Sequence, residues 1–356
     1  MQKLLFSVLF LFAFAFTHPV LATEEEAHSE ETTQHEEGSE EFDPTEAIFE
    51  HILDSYEWHI VTIGEKHISL PLPVILWDQG ELHVFSSAKF HHGHDSYNGY
   101  YIAHEGDNEG RIVRIDANGE EVTPLLDLSI TKNVAALFFS IFLLFIIFVP
   151  VARKYKKREN QAPKGFQAFI EPVIQFVIDD IAKPNIGEKR YMRYTPYLLT
   201  VFFFIFINNL MGLIPFFPFG ANLTGNIAVT MTLAVFTLLI VNFSGNKGYW
   251  KHVFATPGVP FWLLPIMIPV EIIGILAKPF ALMVRLFANI TAGHIVVLSL
   301  VSLIFIFKSL ALSPVSVAFV LFMDVLELLV AALQAYIFTL LTALFIGLAV
   351  QEAEHH

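Results

Sequence analysis

At 356 residues the chain is more than twice the ~150 residues expected of one compact domain. It is 54% hydrophobic with 36 Phe and only 16% charged residues, at a mean hydropathy of +0.56, which points away from a soluble globular protein and toward the membrane. The formal charge of −14 is concentrated in residues 23–47, which hold eleven acids and no Lys or Arg, so the remainder is close to neutral. No basic surface is left to neutralise phosphates, and nucleic acid is excluded as a partner. The absence of Cys excludes disulfide frameworks, thiolate metal sites and cysteine nucleophiles.

In chain order, Lys3 precedes a mostly apolar run from Leu4 to Phe16 and then Val20-Leu21-Ala22. One cation, a short apolar core and small residues at the cleavage position are expected of a secretory signal peptide over 1–22, with export of the chain beyond Ala22. Residues 23–47 repel themselves and carry one aromatic, which predicts a disordered acidic tail. Residues 48–130 change character. After a helix near 46–55, short alternating stretches at Trp58–Ile63, Leu82–Ser86 and Arg111–Ile115, with turn signals at Asp78-Gln79-Gly80 and Asn118-Gly119, predict a small β-rich extracytoplasmic domain. Its run His91-His92-Gly93-His94-Asp95 has metal-ligating residue types. It lies in a polar, Gly-containing stretch without a second spaced pair of ligands, so a solvated loop is the simpler reading.

From residue 131 to 356 the pattern is that of an all-α integral membrane domain with five transmembrane helices. Val134–Ala152 can cross ~30 Å of hydrocarbon at about 1.5 Å per residue, and it ends in the basic cluster Arg153 to Arg158. Ten Lys or Arg between 153 and 193 mark that side as cytoplasmic, in agreement with the export signal. Residues 165–182 mix Phe and Ile with acids, which suits an interfacial amphipathic helix. Tyr197–Phe217 and Asn226–Phe243 supply the next two crossings, and the C-terminus returns to the cytoplasm. The last two apolar regions, Pro260–Leu303 and Pro314–Val350, would be roughly 66 and 55 Å long as helices. Each is about twice a perpendicular crossing, so both are expected to be strongly tilted or broken, with Pro265, Pro269 and Pro279 as kink sites in the first. Two long tilted helices side by side suit the wrapping of a curved neighbour.

The charges inside those helices are the informative residues. Arg285 stands ~27 Å from the end of its segment, beyond the reach of snorkelling, and a guanidinium stays charged at any working pH. Burial at a helix centre costs at least ~2.5 to 3.5 kcal/mol, so Arg285 must face protein, water or a carboxylate. No acid lies one turn away, which leaves a partner on another helix or another chain; a structural salt bridge within the membrane is one such reading. Glu271, Lys278 and Arg285 are spaced by seven and share a stripe, and Asn289 follows Arg285 at i+4. His294 turns to the opposite side, ~13 Å further along, and can exchange protons near neutrality. Glu327 and Gln334, also seven apart, put a carboxylate and an amide on one stripe of the last helix. Such groups facing each other across two helices make a wet, titratable path, although Gln334 or Asn289 taken singly reads equally well as a hydrogen-bonded packing residue.

Residues 269–296, PVEIIGILAKPFALMVRLFANITAGHIV, and 333–338, LQAYIF, closely resemble the a subunit (subunit 6 family) of the rotary F-type ATP synthase, and Asn208-Asn209-Leu210-Met211-Gly212-Leu213-Ile214-Pro215 and Pro163 to Gln167 look like further family segments. The resemblance covers about residues 130–350. It implies a proton-conducting stator subunit in a bacterial inner membrane, with its N-terminus outside and its C-terminus in the cytoplasm. Its partners would be the c-subunit ring, the b subunits of the peripheral stalk and the other synthase subunits. Arg285 would face the rotor carboxylates and block a short circuit between two half-channels. Asn289, His294, Glu327 and Gln334 would line the outer half-channel, with Glu271 near the inner or interhelical side. Where many bacterial relatives carry an acid at the His294 position and a His at the Glu327 position, this chain resembles the swapped pair, and the acid many relatives place at Gly212 is missing.

Neither a phosphate-cradling Gly-rich loop nor a nucleophile elbow is found, so the chain is read as non-enzymatic, without cofactor or metal. The competing class is a secondary ion transporter with Arg285 as a substrate or counter-ion site, which predicts internal repeats and discontinuous helices. A membrane metalloenzyme would need more ligands than one intramembrane His supplies.

Overall fold

The structure is a computed structural model that describes residues 52–63, 66–116, 119–157, 162–214, 218–255, 259–307 and 313–350. The expected signal peptide and acidic tail lie outside these residues, as does most of the helix expected near 46–55. Among the described residues eight short strands come first: β1 (Glu57–Ile63), β2 (Lys66–Pro71), β3 (Pro73–Asp78), β4 (Glu81–Ser86), β5 (Tyr100–Ile102), β6 (Ile112–Ile115), β7 (Glu121–Val122) and β8 (Leu126–Asp127). They form three antiparallel sheets of order β1-β2, β4-β3-β8 and β5-β6-β7. The tight hairpin between β3 and β4 turns on Gln79 and Gly80, both at positive φ (50° and 85°), the geometry a two-residue connection needs to follow strand twist. Val74 and Leu76 of β3, Phe90, Tyr100 and Ile112 make the core, as period-2 alternation dictates.

One ion pair sits at the edge of that core. Arg114 Nε donates to Asp78 Oδ2 at 2.6 Å, and the Tyr100 hydroxyl donates to the same oxygen at 3.1 Å. Burial alone would raise the Asp78 carboxyl, but the Arg114 and Tyr100 bonds and the guanidinium charge outweigh it and hold the group below its ordinary value of 3.8. A depressed carboxyl contributes stability that is fully present above 3.8 and is lost as pH falls through the folded value. Asp78→Asn is therefore expected to cost the strand region roughly 1.5 to 3 kcal/mol at neutral pH. Amide exchange of β3 and β6 in the full chain checks this, and the difference from the parent should shrink below about pH 4.

The helices come next. They are α1 (Lys132–Lys157), α2 (Phe166–Phe176), a π-helical segment Val177–Ala182, α3 (Lys183–Ile186), α4 (Tyr191–Leu213), α5 (Ile227–Ser244), α6 (Lys247–Phe254), α7 (Leu264–Ile306) and α8 (Ser313–Val350). Five are long and apolar enough to cross a membrane: α1, α4, α5, α7 and α8. The architecture is thus a mostly helical multi-pass membrane fold with a β-rich N-terminal region. α7 and α8 are continuous over 43 and 38 residues. Pro265 lies in the first turn of α7, where its missing N–H has no intrahelical partner to lose, and the helix continues through Pro269 and Pro279. Of the tilted and broken alternatives for these two helices, the broken one is set aside.

α4 is the centre of the bundle. Leu198, Phe202, Phe203 and Ile205 are buried among Leu282 and Leu286 of α7, Phe338 and Ile346 of α8, and Val177 and Ile181. The amphipathic stretch expected at 165–182 is helical, with Phe166 and Phe169 exposed and Ile170, Val177 and Ile181 buried. At the start of α1, Asn133 N–H donates to Asp54 Oδ1 at 2.9 Å, so a carboxylate from outside the helix satisfies a first-turn donor.

Candidate functional site

The buried face of α7 is Leu282, Met283, Leu286 and Ile290, an i, i+1, i+4, i+8 pattern that gives the helix one inward stripe, and α7 packs mainly on α5 and α8. Arg285 falls off that stripe and is exposed, together with Ile273, Ala277, Phe280, Val284 and Ala288. Its guanidinium makes no hydrogen bond or ion pair among the described residues. Asn289, one turn on, is also exposed. Lys278 is exposed and holds its ammonium 5.6 Å from the centre of the Phe345 ring. Glu271 is half-buried, with Oε1 3.9 Å from His252 Nδ1 on α6.

A second set of polar groups lies on the inward side. His294 Nδ1 stands 3.8 Å from Glu327 Oε1, the two side chains being only 12% and 7% exposed. Two glycines make room for this pair. A Cβ at Gly293 would stand 2.8 Å from Glu327 Oε1, and one at Gly212 of α4 would stand 3.3 Å from His294 Nε2. The imidazole therefore sits between α4 and α8, against the position where many relatives were expected to carry an acid. Gln334, two turns beyond Glu327, is buried on the same stripe of α8. The structure thus brings His294 and Glu327 together and buries Gln334 with them, while Asn289 shares the exposed face of Arg285 and Glu271 pairs elsewhere.

Several groups that spacing did not single out complete this region. Asn209 donates to Ala331 O of α8 at 3.3 Å and accepts from Thr224 Oγ1 at 2.6 Å. Thr291, one turn before His294, donates to Gly225 O at 3.4 Å. Thr224 and Gly225 belong to the segment between α4 and α5, where Ala221, Asn222, Leu223 and Thr224 are all buried. Asn222 Nδ2 is buried without a hydrogen-bond partner among the described residues. Asp324 lies one turn before Glu327 and is half-buried. For Asn222, Thr224 and Gly225 the only signal was residue type, since Asn, Thr and Gly between apolar spans read as a turn, whereas Asn209 and Thr291 fall within the segments that resemble the family.

The His91–Asp95 stretch divides its groups between separate contacts. His91 Nδ1 lies 2.6 Å from Asp95 Oδ2, and His92 Nδ1 lies 2.7 Å from Glu57 Oε2. The His94 ring stacks on that of His104, with centroids 6.3 Å apart. No group of three or more His, Asp or Glu placed to hold a metal occurs among the described residues.

A multi-pass membrane protein with an exposed guanidinium and a buried imidazole–carboxylate pair belongs to the class in which intramembrane charge is functional. A family model described as ATP synthase A chain matches residues 134–347, and a second, described as a domain of unknown function (DUF8433), matches residues 47–132. The chain is 50% identical over 235 residues to ATP synthase subunit a of Chloroherpeton thalassium, an alignment covering 64% of this chain and 69% of the relative. It is 44% identical over 286 residues to ATP synthase subunit a 2 of Prosthecochloris aestuarii, covering 77% of this chain and 86% of that relative. To ATP synthase subunit a of Myxococcus xanthus it is 44% identical over 253 residues, covering 68% and 81%. The chain belongs to the ATP synthase a subunit family, the subunit 6 family of the F-type enzyme's membrane sector.

Proposed function

We propose that this subunit conducts protons between the two sides of a bacterial inner membrane and the ring of c subunits, and that Arg285 is the charge each rotor carboxylate meets as it passes. The observation that carries the reading is the exposed guanidinium at mid-length of α7, without an intrachain partner among the described residues, on a face made of Ile, Val, Phe and Ala apart from Lys278 and Asn289. A charge so placed in hydrocarbon needs a carboxylate from another chain. The b subunits and the other synthase subunits complete the assembly.

His294, Glu327 and Gln334 form the half-channel on the side that carries the strands, which this reading assigns to the cell exterior. Imidazole and carboxylate 3.8 Å apart can pass a proton through one intervening water. The Asn222 amide is a buried donor that a hydrated path would satisfy. Asn289 lies where that path meets Arg285. Glu271 stands at the opposite end of α7 and serves the inner half-channel. The basic end of α1, Lys154, Lys156 and Lys157, marks the cytoplasmic surface, and α7 and α8 lie tilted against the ring. A self-contained secondary transporter would place discontinuous helices at its binding site, whereas α7 and α8 run unbroken.

In vesicles of the assembled synthase, His294→Ala and Glu327→Gln are each expected to lower ATP-driven proton pumping about ten-fold or more, with ATP hydrolysis by the catalytic sector retained. A Cys placed at Val284, beside Arg285, should cross-link to the rotor. Full pumping in both variants would remove the pair from the path, and failure of Val284→Cys to cross-link would remove the rotor from this face.

A further inference from the structure

The β-rich region lies outside the residues matched by the ATP synthase family model, yet it reaches the site. Trp58 of β1 and Leu72, between β2 and β3, form one buried cluster with Ala136 of α1 and Ala221 of the segment between α4 and α5. Behind Ala221 is the channel pair. Its carbonyl oxygen and His294 Nε2 converge on the same missing side chain, lying 3.7 Å and 3.3 Å from a Cβ built at Gly212. The same segment is tied to α4 by Gly220 N–H on Met211 O (3.0 Å) and by Thr224 on Asn209, and to α7 through Thr291 on Gly225 O. It has no helix or strand of its own from Ala221 to Thr224, although all four residues are buried. A buried segment without regular structure is held by the hydrogen bonds that pair its polar groups and by whatever packs against it. One side is the His294 region. The other is Trp58 and Leu72.

We infer that Trp58 and Leu72 are positioning residues that clamp residues 220–225 over the His294–Glu327 pair, so that the N-terminal domain sets the access of water and protons to the strand-side half-channel. Neither residue touches the translocated proton. They act through Ala221, on a wall that includes Asn222 and Thr224. The domain itself is anchored at that end of the bundle by Lys132 N–H on Ser55 O (2.8 Å) and Asn133 N–H on Asp54. This inference rests on the proposed half-channel only for what lies beneath the segment; the clamp itself is a packing statement.

The chain has no Cys, so a single introduced thiol is a clean reporter when labelling is read on this subunit after it is separated from the assembled synthase. Ala221→Cys should react with a membrane-impermeant maleimide about ten-fold more slowly than Leu125→Cys, whose position is 72% exposed. Adding Trp58→Ala should speed labelling of Ala221→Cys about ten-fold, Leu72→Ala should do so less, and Trp58→Phe should restore protection. Pumping should fall several-fold with Trp58→Ala and recover with Trp58→Phe. The clamp is overturned when Ala221→Cys labels as fast as Leu125→Cys in the parent, a result that needs no Trp58 variant to fold, or when Trp58→Ala leaves labelling unchanged. Should labelling behave as expected while His294→Ala pumps normally, the half-channel reading fails instead and the control of proton access falls with it.

Discussion

Arg285→Ala is expected to bring ATP-driven proton pumping to background while the subunit stays in the assembled complex. Both halves of that outcome come from where the side chain stands. It is exposed on α7 and makes no bond among the described residues, so removing it breaks no contact the fold depends on. On the proposed reading, what is lost is a fixed positive charge facing the rotor. A unit charge ~4 Å from a carboxylate at an effective dielectric near 20 favours the ionised form by about 4 kcal/mol, or roughly three pKa units. Without it a rotor carboxylate could cross the gap still protonated in either direction, and protons would leak between the proposed half-channels without net rotation of the ring. Arg285→Lys should fail as well. An ammonium on a flexible stem is a point charge whose proton can be lost in an apolar setting, whereas a guanidinium stays charged. Pumping by inverted vesicles and passive proton leak through the membrane sector measure the two consequences. Normal pumping by either variant would defeat the assignment of Arg285.

Gly347→Ala is expected to be the most damaging small substitution in the helical core. A Cβ there would stand 1.9 Å from Asn185 O and 2.9 Å from its carbonyl carbon, both backbone atoms that cannot swing aside. The surroundings are equally constrained. Arg190 donates to Val350 O, Asn246 Nδ2 donates to the same carbonyl at 3.3 Å, and Asn246 N–H donates to Ala349 O at 3.0 Å. These bonds satisfy carbonyls at the end of the described part of α8. To admit a methyl group the helix must move away from α3 and break them, at about 3 kcal/mol or more. Because α8 also carries Glu327 and Gln334, a shift at its end displaces the proposed channel face. A lowered Tm of the purified subunit and a reduced yield of assembled complex should appear together. Gly274→Ala is the control. No heavy atom lies within 4 Å of its Cβ position, and replacing a mid-helix Gly there should be neutral or stabilising by up to ~1 kcal/mol in the isolated subunit. Equal stability of Gly347→Ala and the parent would show that α3 and α8 are not in contact at this point.

Much of the helical architecture is legible in composition. Val134–Ala152, Tyr197–Phe217 and Asn226–Phe243 are apolar over a bilayer's thickness, and the observed α1, α4 and α5 enclose or closely overlap those spans. The ends shift by several residues because Lys132, Tyr191 and the flanking basic residues continue a helix past the apolar run. The strands at Glu57–Ile63, Glu81–Ser86 and Ile112–Ile115 likewise fall on the expected stretches, but which face is buried does not follow from alternation, since Leu82 and Val84 of β4 are exposed and the neighbours Ile112 and Val113 of β6 are both buried. Arg285, His294 and Glu327 stand out in the sequence because a charge or imidazole within an apolar span is costly whatever its neighbours are.

The neighbours are another matter. Nothing in local spacing says that Gly212 and Gly293 leave the room His294 and Glu327 occupy, that Asn209 joins Thr224 to Ala331, or that Asn289 keeps company with Arg285 instead of the buried pair. Nor does it say that Trp58 joins one buried cluster with Ala221 across 163 residues of chain. Transfer free energy acts on each residue alone, so the partition of segments between water and lipid can be read along one dimension. Which polar atom meets which is decided by the packing of helices distant in sequence, where a single absent methyl group determines how closely two backbones approach.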